Sequence, residues 1–419
     1  MEGFLAVFQF LLDLGNTLLL PLLIFLLGLL LRMKFGDALM SGLKIGIGLT
    51  LINVALGTLI GAYAPAASAM AEKVGINLTT IDAGWGTLAG IAFASQMGLL
   101  IIPLFIVVNI VLIFLKWTNT VNVDIWNFWH VAFVATMAHM ATGSFAFGIV
   151  VAILLIMLIL KFADLTQKEL SEWMGIPGVS VTTLNMVSQT IVTRLFQKVF
   201  PKESKVTWDS DTMREKFGVF GEPIFQSVVI GIIFGLLAGY DVKSIWGMSI
   251  TIAAVLYILP KVIGAIMEGF TPLAEAAKVF FKKTFKDREL FIGVDWILLL
   301  KPEHLSFGLP FIPLAVLLAF VLPGNKVLPL GDLGIAWAGA FVTLALLKGD
   351  MLKSFIIAIV TLVATLYIGT WNAQFITNAA LNAGMTLPEG ATYITGLVDS
   401  MDFVQNGFLA ISQLLGNLF

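Results

Sequence analysis

Glu222 stands between Gly221 and Pro223 in KFGVFGEP (216–223), at the mouth of an apolar run. Proline has no N–H and keeps the preceding residue out of helical dihedrals. The pattern therefore predicts a helix beginning at Pro223, with Glu222 in extended backbone beside a positive helix N-terminus. A carboxylate there can cap the helix or can bind a ligand, and an ionisable group entering an apolar segment is by default a functional candidate. Asp295 in LFIGVDWILLL is a second such group, and Asp82 with Trp85, set among Gly84 and Gly86, is a third. Carboxylate beside tryptophan suits a polyhydroxylated ligand, since the carboxylate accepts from hydroxyls while the indole face packs on C–H surface. Interfacial anchoring by Trp explains the same pattern. The densest polar and aromatic set inside an apolar run is Trp126, Asn127, Trp129, His130, His139, Thr142 and Ser144. His130 and His139 are nine residues apart, about two and a half helical turns, so on one straight helix they face opposite sides and share no metal. Gln96 is a single amide in an apolar run, as suited to holding helices together as to binding a ligand.

These groups need membrane helices to position them. The chain is 59% hydrophobic and 12% charged, against about 25% charged for a soluble domain, which excludes an ordinary soluble enzyme. A bilayer core takes about 20 residues of helix. The 419 residues are therefore read as an all-α polytopic membrane protein of about ten to eleven transmembrane helices. A net charge of −2 offers nothing to nucleic acid. Cys is absent and His numbers three, so no disulfide, thiolate metal site or phosphocysteine belongs to this chain, and no metal or other cofactor is expected. No GxxxxGK[ST], GxSxG or HExxH occurs, so the chain carries no self-contained catalytic motif. The runs 128–160 and 175–193 carry too many polar residues for simple spans, among them Asn185, Ser188 and Gln189 in the second. They are read as broken or re-entrant helices, which membranes tolerate where the backbone is buried in protein or lines a cavity.

The chain also resembles itself. Pro65 matches Pro272, Asp82–Trp85 matches Gly293–Trp296, Ile102–Leu104 matches Ile312–Leu314, and Asn119, Val121 and Asp124 match Asn325, Val327 and Asp332. With the N-terminus outside and ten crossings, 18 of the 24 Lys and Arg fall on inside loops and five outside, and none follows Lys353. Five crossings then precede the second copy, so the copies are inverted, as in secondary-transporter folds whose substrate sits at the midplane. The expected organisation is a first inverted repeat at 1–160 and a connecting segment at 161–216 with a partly polar helix and basic loop. A second repeat at 217–371 and a C-terminal region at 372–419 complete it. Ser41 and Ser244 are expected in equivalent loops after the first helix of each repeat.

The motifs NVDIWNFWH (122–130), HMATGS (139–144), KFGVFGEP (216–223), AGYDVKSI (238–245), PGNKVLPLGDL (323–333) and NAALNAG (378–384) resemble the membrane-spanning C component of a bacterial phosphotransferase-system permease. The likeness is to the galactitol type, within the ascorbate–galactitol superfamily. It implies a homodimer in the cytoplasmic (inner) membrane, with a dimerising domain from the first two helices of each repeat and a mobile core that carries a sugar alcohol in an elevator-like movement. It also implies a cytoplasmic B component whose phosphocysteine donates the phosphoryl group, and an A component behind it, so that this chain is a translocating subunit of a multi-component phosphotransferase. Phosphoryl transfer needs positioning and a base for the hydroxyl proton. His130 and Glu222 are then the candidate catalytic residues, and Asp82, Trp85, Gln96, His130, His139, Thr142, Ser144, Glu222 and Asp295 the candidate substrate-binding residues. The competing class is a proton- or sodium-coupled solute symporter.

Overall fold

The computed structural model describes residues 15–75, 78–124, 128–200, 218–221, 223–284, 288–295, 304, 307–308, 310–333, 340–388 and 391–416. Helix α1 (Gly15–Leu30) turns at Arg32, which has a positive φ of 64°, into α2 (Phe35–Val74). Strand β1 (Thr80–Asp82), helices α3 (Trp85–Phe93) and α4 (Gln96–Phe114), and strand β2 (Thr120–Asn122) follow. Next come α5 (Trp129–Thr142), α6 (Phe145–Met174), β3 (Val179–Val181) and α7 (Leu184–Gln197). After a 3-10 turn at Gly218–Gly221 the chain continues through α8 (Pro223–Ala238), α9 (Val242–Thr284), β4 (Phe291–Val294), α10 (Phe311–Val321) and β5 (Val327–Leu328). It closes with α11 (Phe341–Leu346), α12 (Met351–Asn382), β6 (Tyr393–Thr395), α13 (Leu397–Ser400) and α14 (Phe403–Gly416). Helix α8 starts at Pro223, as the proline dictates.

The protein is mostly helical, and α4, α6 and α12 are each long and apolar enough to cross a membrane. Helices α2 and α9 run for 40 and 43 residues, about 60 Å each and twice a hydrocarbon core, so neither lies wholly within one upright span. Ser41 is buried inside α2 and Ser244 lies in the first turn of α9, so the loops expected there are helix. The turn comes earlier in both places. Arg32 takes it in the first, and in the second Gly239 has φ 78° and the Asp241 carboxylate accepts the Ser244 N–H at 2.7 Å.

Helices α1, α2, α8 and α9 pack through small residues that let backbones meet. A Cβ at Gly46 would stand 2.2 Å from Pro21 Cγ, one at Gly48 2.1 Å from Ile266 Cγ1, and one at Gly231 2.6 Å from Ser249 Cα. In the rest of the chain the helices are interrupted. The apolar run 87–115 is two helices, α3 and α4, because the Ser95 hydroxyl accepts the Gly98 N–H at 2.9 Å and restarts the helix. The run 128–160 breaks at Gly143–Ser144, where Ser144 caps α6 by accepting the Phe147 N–H at 3.2 Å. Each break leaves orphan backbone groups that need partners away from water.

Among the described residues six strands of two to four residues supply part of that need, and an all-helical reading of the sequence does not contain them. They form two three-stranded parallel sheets, ordered β5-β1-β6 and β2-β4-β3. Asp82 pairs with Thr395 in the first sheet, and Asn122 with Gly293 in the second. The arrangement is reciprocal: a central strand from one half of the chain is flanked by two from the other half.

Candidate functional site

Each sheet ends in a pair of aspartates. Asp82 closes β1 and is 1% exposed. Its Oδ1 accepts the N–H of Gly84 at 3.2 Å and of Leu397 at 3.1 Å, while Oδ2 accepts the N–H of Asp332 at 2.7 Å. Asp332, just beyond β5, accepts the N–H of Trp85 at 2.8 Å and of Val398 at 3.0 Å. Two carboxylates thus hold the starts of α3 and α13, whose first N–H groups have no partner within their own helices. Only glycine fits between them. Gly84 has φ 81°, and a Cβ on Gly331 would stand 2.4 Å from the Gly84 nitrogen. At the other sheet Asp124 accepts the Asp295 N–H at 3.3 Å, and the Thr183 hydroxyl bonds Asp295. Asn122 Oδ1 accepts both the Asp124 N–H at 3.1 Å and the Thr182 hydroxyl at 3.0 Å.

The exits of the two sheets meet. Helix α7 leaves β3 and carries Ser188, whose hydroxyl donates to Asp402 Oδ1 at 2.5 Å and accepts the Val404 N–H at 3.0 Å. Asp402 lies between α13 and α14 and also accepts the Gln405 N–H at 2.9 Å. Asn406 fixes that turn by donating to the carbonyls of Asp399 at 2.7 Å and Asp402 at 2.8 Å. The Gln405 amide donates to Asp399 Oδ1 at 2.6 Å, and Gln405 lies beside the His130 imidazole. His130 stacks on Trp129, whose ring lies 6.1 Å from that of Trp85. Asp399 Oδ2, Asp402 Oδ2, Asn185 Oδ1 and His130 Nδ1 are buried with no hydrogen-bond partner among the described residues. No Lys or Arg is buried among those residues.

This buried centre can accept hydrogen bonds from a ligand. It is a poor place for an anion, because an unpartnered buried acceptor gains most from a neutral donor.

Of the residues the sequence nominated, Asp82, Trp85 and His130 come together here. Asp295 belongs to the second aspartate pair and is half-buried as a residue. His139, Thr142 and Ser144 lie at the break between α5 and α6. There Thr142 donates to the Ala138 carbonyl at 2.8 Å, Ser144 caps α6, and His139 packs edge-on against Phe145. Gln96 is exposed at the first residue of α4. Glu222, Trp126 and Asn127 lie outside the described residues. Sequence reasoning missed Asp332, Asp399, Asp402, Gln405, Asn185 and Ser188 as site residues. A signal existed: TTLNMVS (182–188) aligns without gaps on GLVDSMD (396–402), placing Asn185 on Asp399 and Ser188 on Asp402.

The family model EIIC-GAT, described as the PTS system sugar-specific permease component, matches residues 10–390. The chain is 35% identical over 427 aligned positions to the PTS system galactitol-specific EIIC component of Escherichia coli (strain K12), covering 98% of this chain and 94% of the relative. The corresponding protein of Escherichia coli O157:H7 gives the same identity and coverage.

Proposed function

This chain belongs to the family of sugar-specific permease components of the phosphotransferase system, and from that premise we propose that it carries galactitol across the bacterial cytoplasmic membrane for phosphorylation inside. The observation that carries the substrate reading is the excess of buried acceptors: among the described residues Asp399 Oδ2, Asp402 Oδ2 and Asn185 Oδ1 lack donors, and no Lys or Arg is buried. A neutral polyol supplies donors from its hydroxyls, whereas a sugar acid adds negative charge to a centre already holding four aspartates. Trp85 and Trp129 offer ring surface for the C–H faces of the same ligand.

Phosphorylation is then a displacement at phosphorus. The substrate hydroxyl oxygen forms the new P–O bond, the P–S bond to the phosphocysteine of a B component breaks, and the thiolate leaves. The hydroxyl proton goes to a base on this chain, for which His130, buried in this centre, is the candidate that the described residues include. Glu222 is retained as the second candidate from its place before Pro223. An A component recharges the B component.

In the same reading the chain is built of two inverted repeats, and the boundary moves outward from the one that hydropathy suggests. The reciprocal sheets support repeats that run through β3 and α7 in the first half and through β6 and α14 in the second, because β3 and β6 occupy matching places. Helices α1, α2, α8 and α9 form the dimerising scaffold of a homodimer; the interrupted helices form the core that moves. In support, those four helices pack through glycines and contribute none of the buried aspartates.

Calorimetric titration of the purified protein tests the substrate reading. Galactitol is expected to bind, and Asp399→Asn to weaken it roughly ten- to hundredfold, the worth of a hydrogen bond to a charged group. A sugar acid that binds as tightly as galactitol defeats the reading.

A further inference from the structure

Away from the aspartate centre, a cavity of about 810 Å³ opens between the α1–α2 turn and the second half of α9. Among the described residues its charged lining is balanced, with Arg32, Lys44 and Lys283 against Asp37, Glu268 and Glu275. Lys44 and Glu268 neutralise each other across the α2–α9 contact at 2.9 Å. That leaves two exposed cations, Arg32 and Lys283, and two exposed carboxylates, Asp37 and Glu275, around one space. The remaining wall is apolar and includes Met40 and Val279.

The helix face that lines this cavity does not end with it. Met40 and Lys44 lie on the face of α2 that continues about one, two and three turns on through Ile47, Leu51 and Val54, which are 58%, 39% and 61% exposed. Arg32, Lys34 and Lys44 and the basic stretch ending at Arg288 place the mouth of the cavity on the positive, cytoplasmic side. The cavity therefore sits at the depth of lipid headgroups, with an apolar track leading from it towards the bilayer centre.

We propose that this cavity is a binding site for a zwitterionic aminophospholipid. The phosphate lies between Arg32 and Lys283, the primary ammonium donates to Asp37 and Glu275, and an acyl chain follows Ile47, Leu51 and Val54. The balance of charge selects the headgroup. An anionic lipid leaves the two carboxylates facing negative charge, and a quaternary ammonium has no N–H to give them. The volume lies within the range of ordinary ligand pockets, about 300–1,000 Å³. The site would bridge α1, α2 and α9, so that lipid stabilises the scaffold.

Native mass spectrometry of the full-length protein tests this after incubation with equal amounts of palmitoyl-oleoyl phosphatidylethanolamine, phosphatidylcholine and phosphatidylglycerol. Phosphatidylethanolamine is expected to be retained over both others. Arg32→Ala with Lys283→Ala should cut its retention at least roughly tenfold, as the loss of charge-assisted bonds to phosphate implies. Asp37→Asn with Glu275→Gln should instead abolish only the preference for phosphatidylethanolamine over phosphatidylcholine. All four side chains are exposed, and an unchanged melting temperature in lipid-free detergent shows that the variants fold. Equal retention of the three lipids, a preference for phosphatidylglycerol, or indifference to the charge changes overturns the proposal. Inorganic phosphate that raises the melting temperature as much as phosphatidylethanolamine would assign the cations to a free anion. Protection of Lys283 from labelling by a cytoplasmic partner protein, with no lipid retained, would make the face a protein dock.

Discussion

Asp82 and Asp399 are both buried aspartates, but their surroundings predict different consequences of the same change. Asp82 accepts three backbone N–H groups, so Asp82→Asn turns an amide donor towards donors that cannot accept it. The expected cost is about 1–3 kcal/mol for each buried group left unsatisfied, read as a lower melting temperature of the purified protein. Asp399 Oδ2 has no partner to lose, so Asp399→Asn should leave the melting temperature nearly unchanged while weakening galactitol. If both variants lose stability alike, Asp399 is structural. At Glu222 the sequence argument stands by itself: Glu222→Gln should reduce uptake at least roughly tenfold with little loss of folded protein. Uptake and binding equal to the parent would leave Glu222 as a helix cap.

At the scale of elements, the scaffold depends on how closely its helices approach. An added Cβ at Gly46 of α2 meets Pro21 of α1 at 2.2 Å, whereas Gly57 on the same helix has nothing within 4 Å. Gly46→Leu is expected to destabilise by about 1–3 kcal/mol through overpacking. Gly57→Ala should instead stabilise by about 0.5–1 kcal/mol, because alanine loses less conformational freedom in a helix. Thermal unfolding of the two variants measures the difference. Equal effects would mean that α1 does not lie against α2 as described. The breaks show the opposite strategy, in which short polar side chains restart helices. Ser95 and Ser144 do so by capping.

For the whole molecule, inversion and coupling are the questions. The chain has no Cys, so single cysteines report cleanly. Lys34→Cys, between α1 and α2, and Lys243→Cys, in the first turn of α9, are both at exposed positions near the start of a long helix. Inverted repeats require the first to react only from the cytoplasm and the second only from outside. Reaction of both from one side would falsify the inversion. Coupling follows from what the sequence lacks. Without a nucleotide-binding motif or a phosphorylatable Cys, the reconstituted protein should release phosphorylated galactitol into vesicles only with the A and B components, the general phosphotransfer proteins and phosphoenolpyruvate. Gradient-driven accumulation of unmodified galactitol by the protein alone would point to a symporter.

The sequence by itself determined the properties that depend on local composition. Hydropathy and the scarcity of charge establish a membrane protein, Pro223 sets the start of α8, and the polar residues near Gly143 foretell a break between α5 and α6. Asp82 and His130 were legible because an ionisable group in an apolar run is conspicuous alone. Tertiary structure decided what depends on partners distant in the chain. Asp332 joins Asp82 across 250 positions, and Ser188 joins Asp402 across 214. The strands are two to four residues long, too short for a period-two pattern to stand out, and they exist only because strands from the other half of the chain complete them. Helices α2 and α9 run through the loops that hydropathy suggests, because each helix, held against the other, can carry polar residues that neither would place in a bilayer alone.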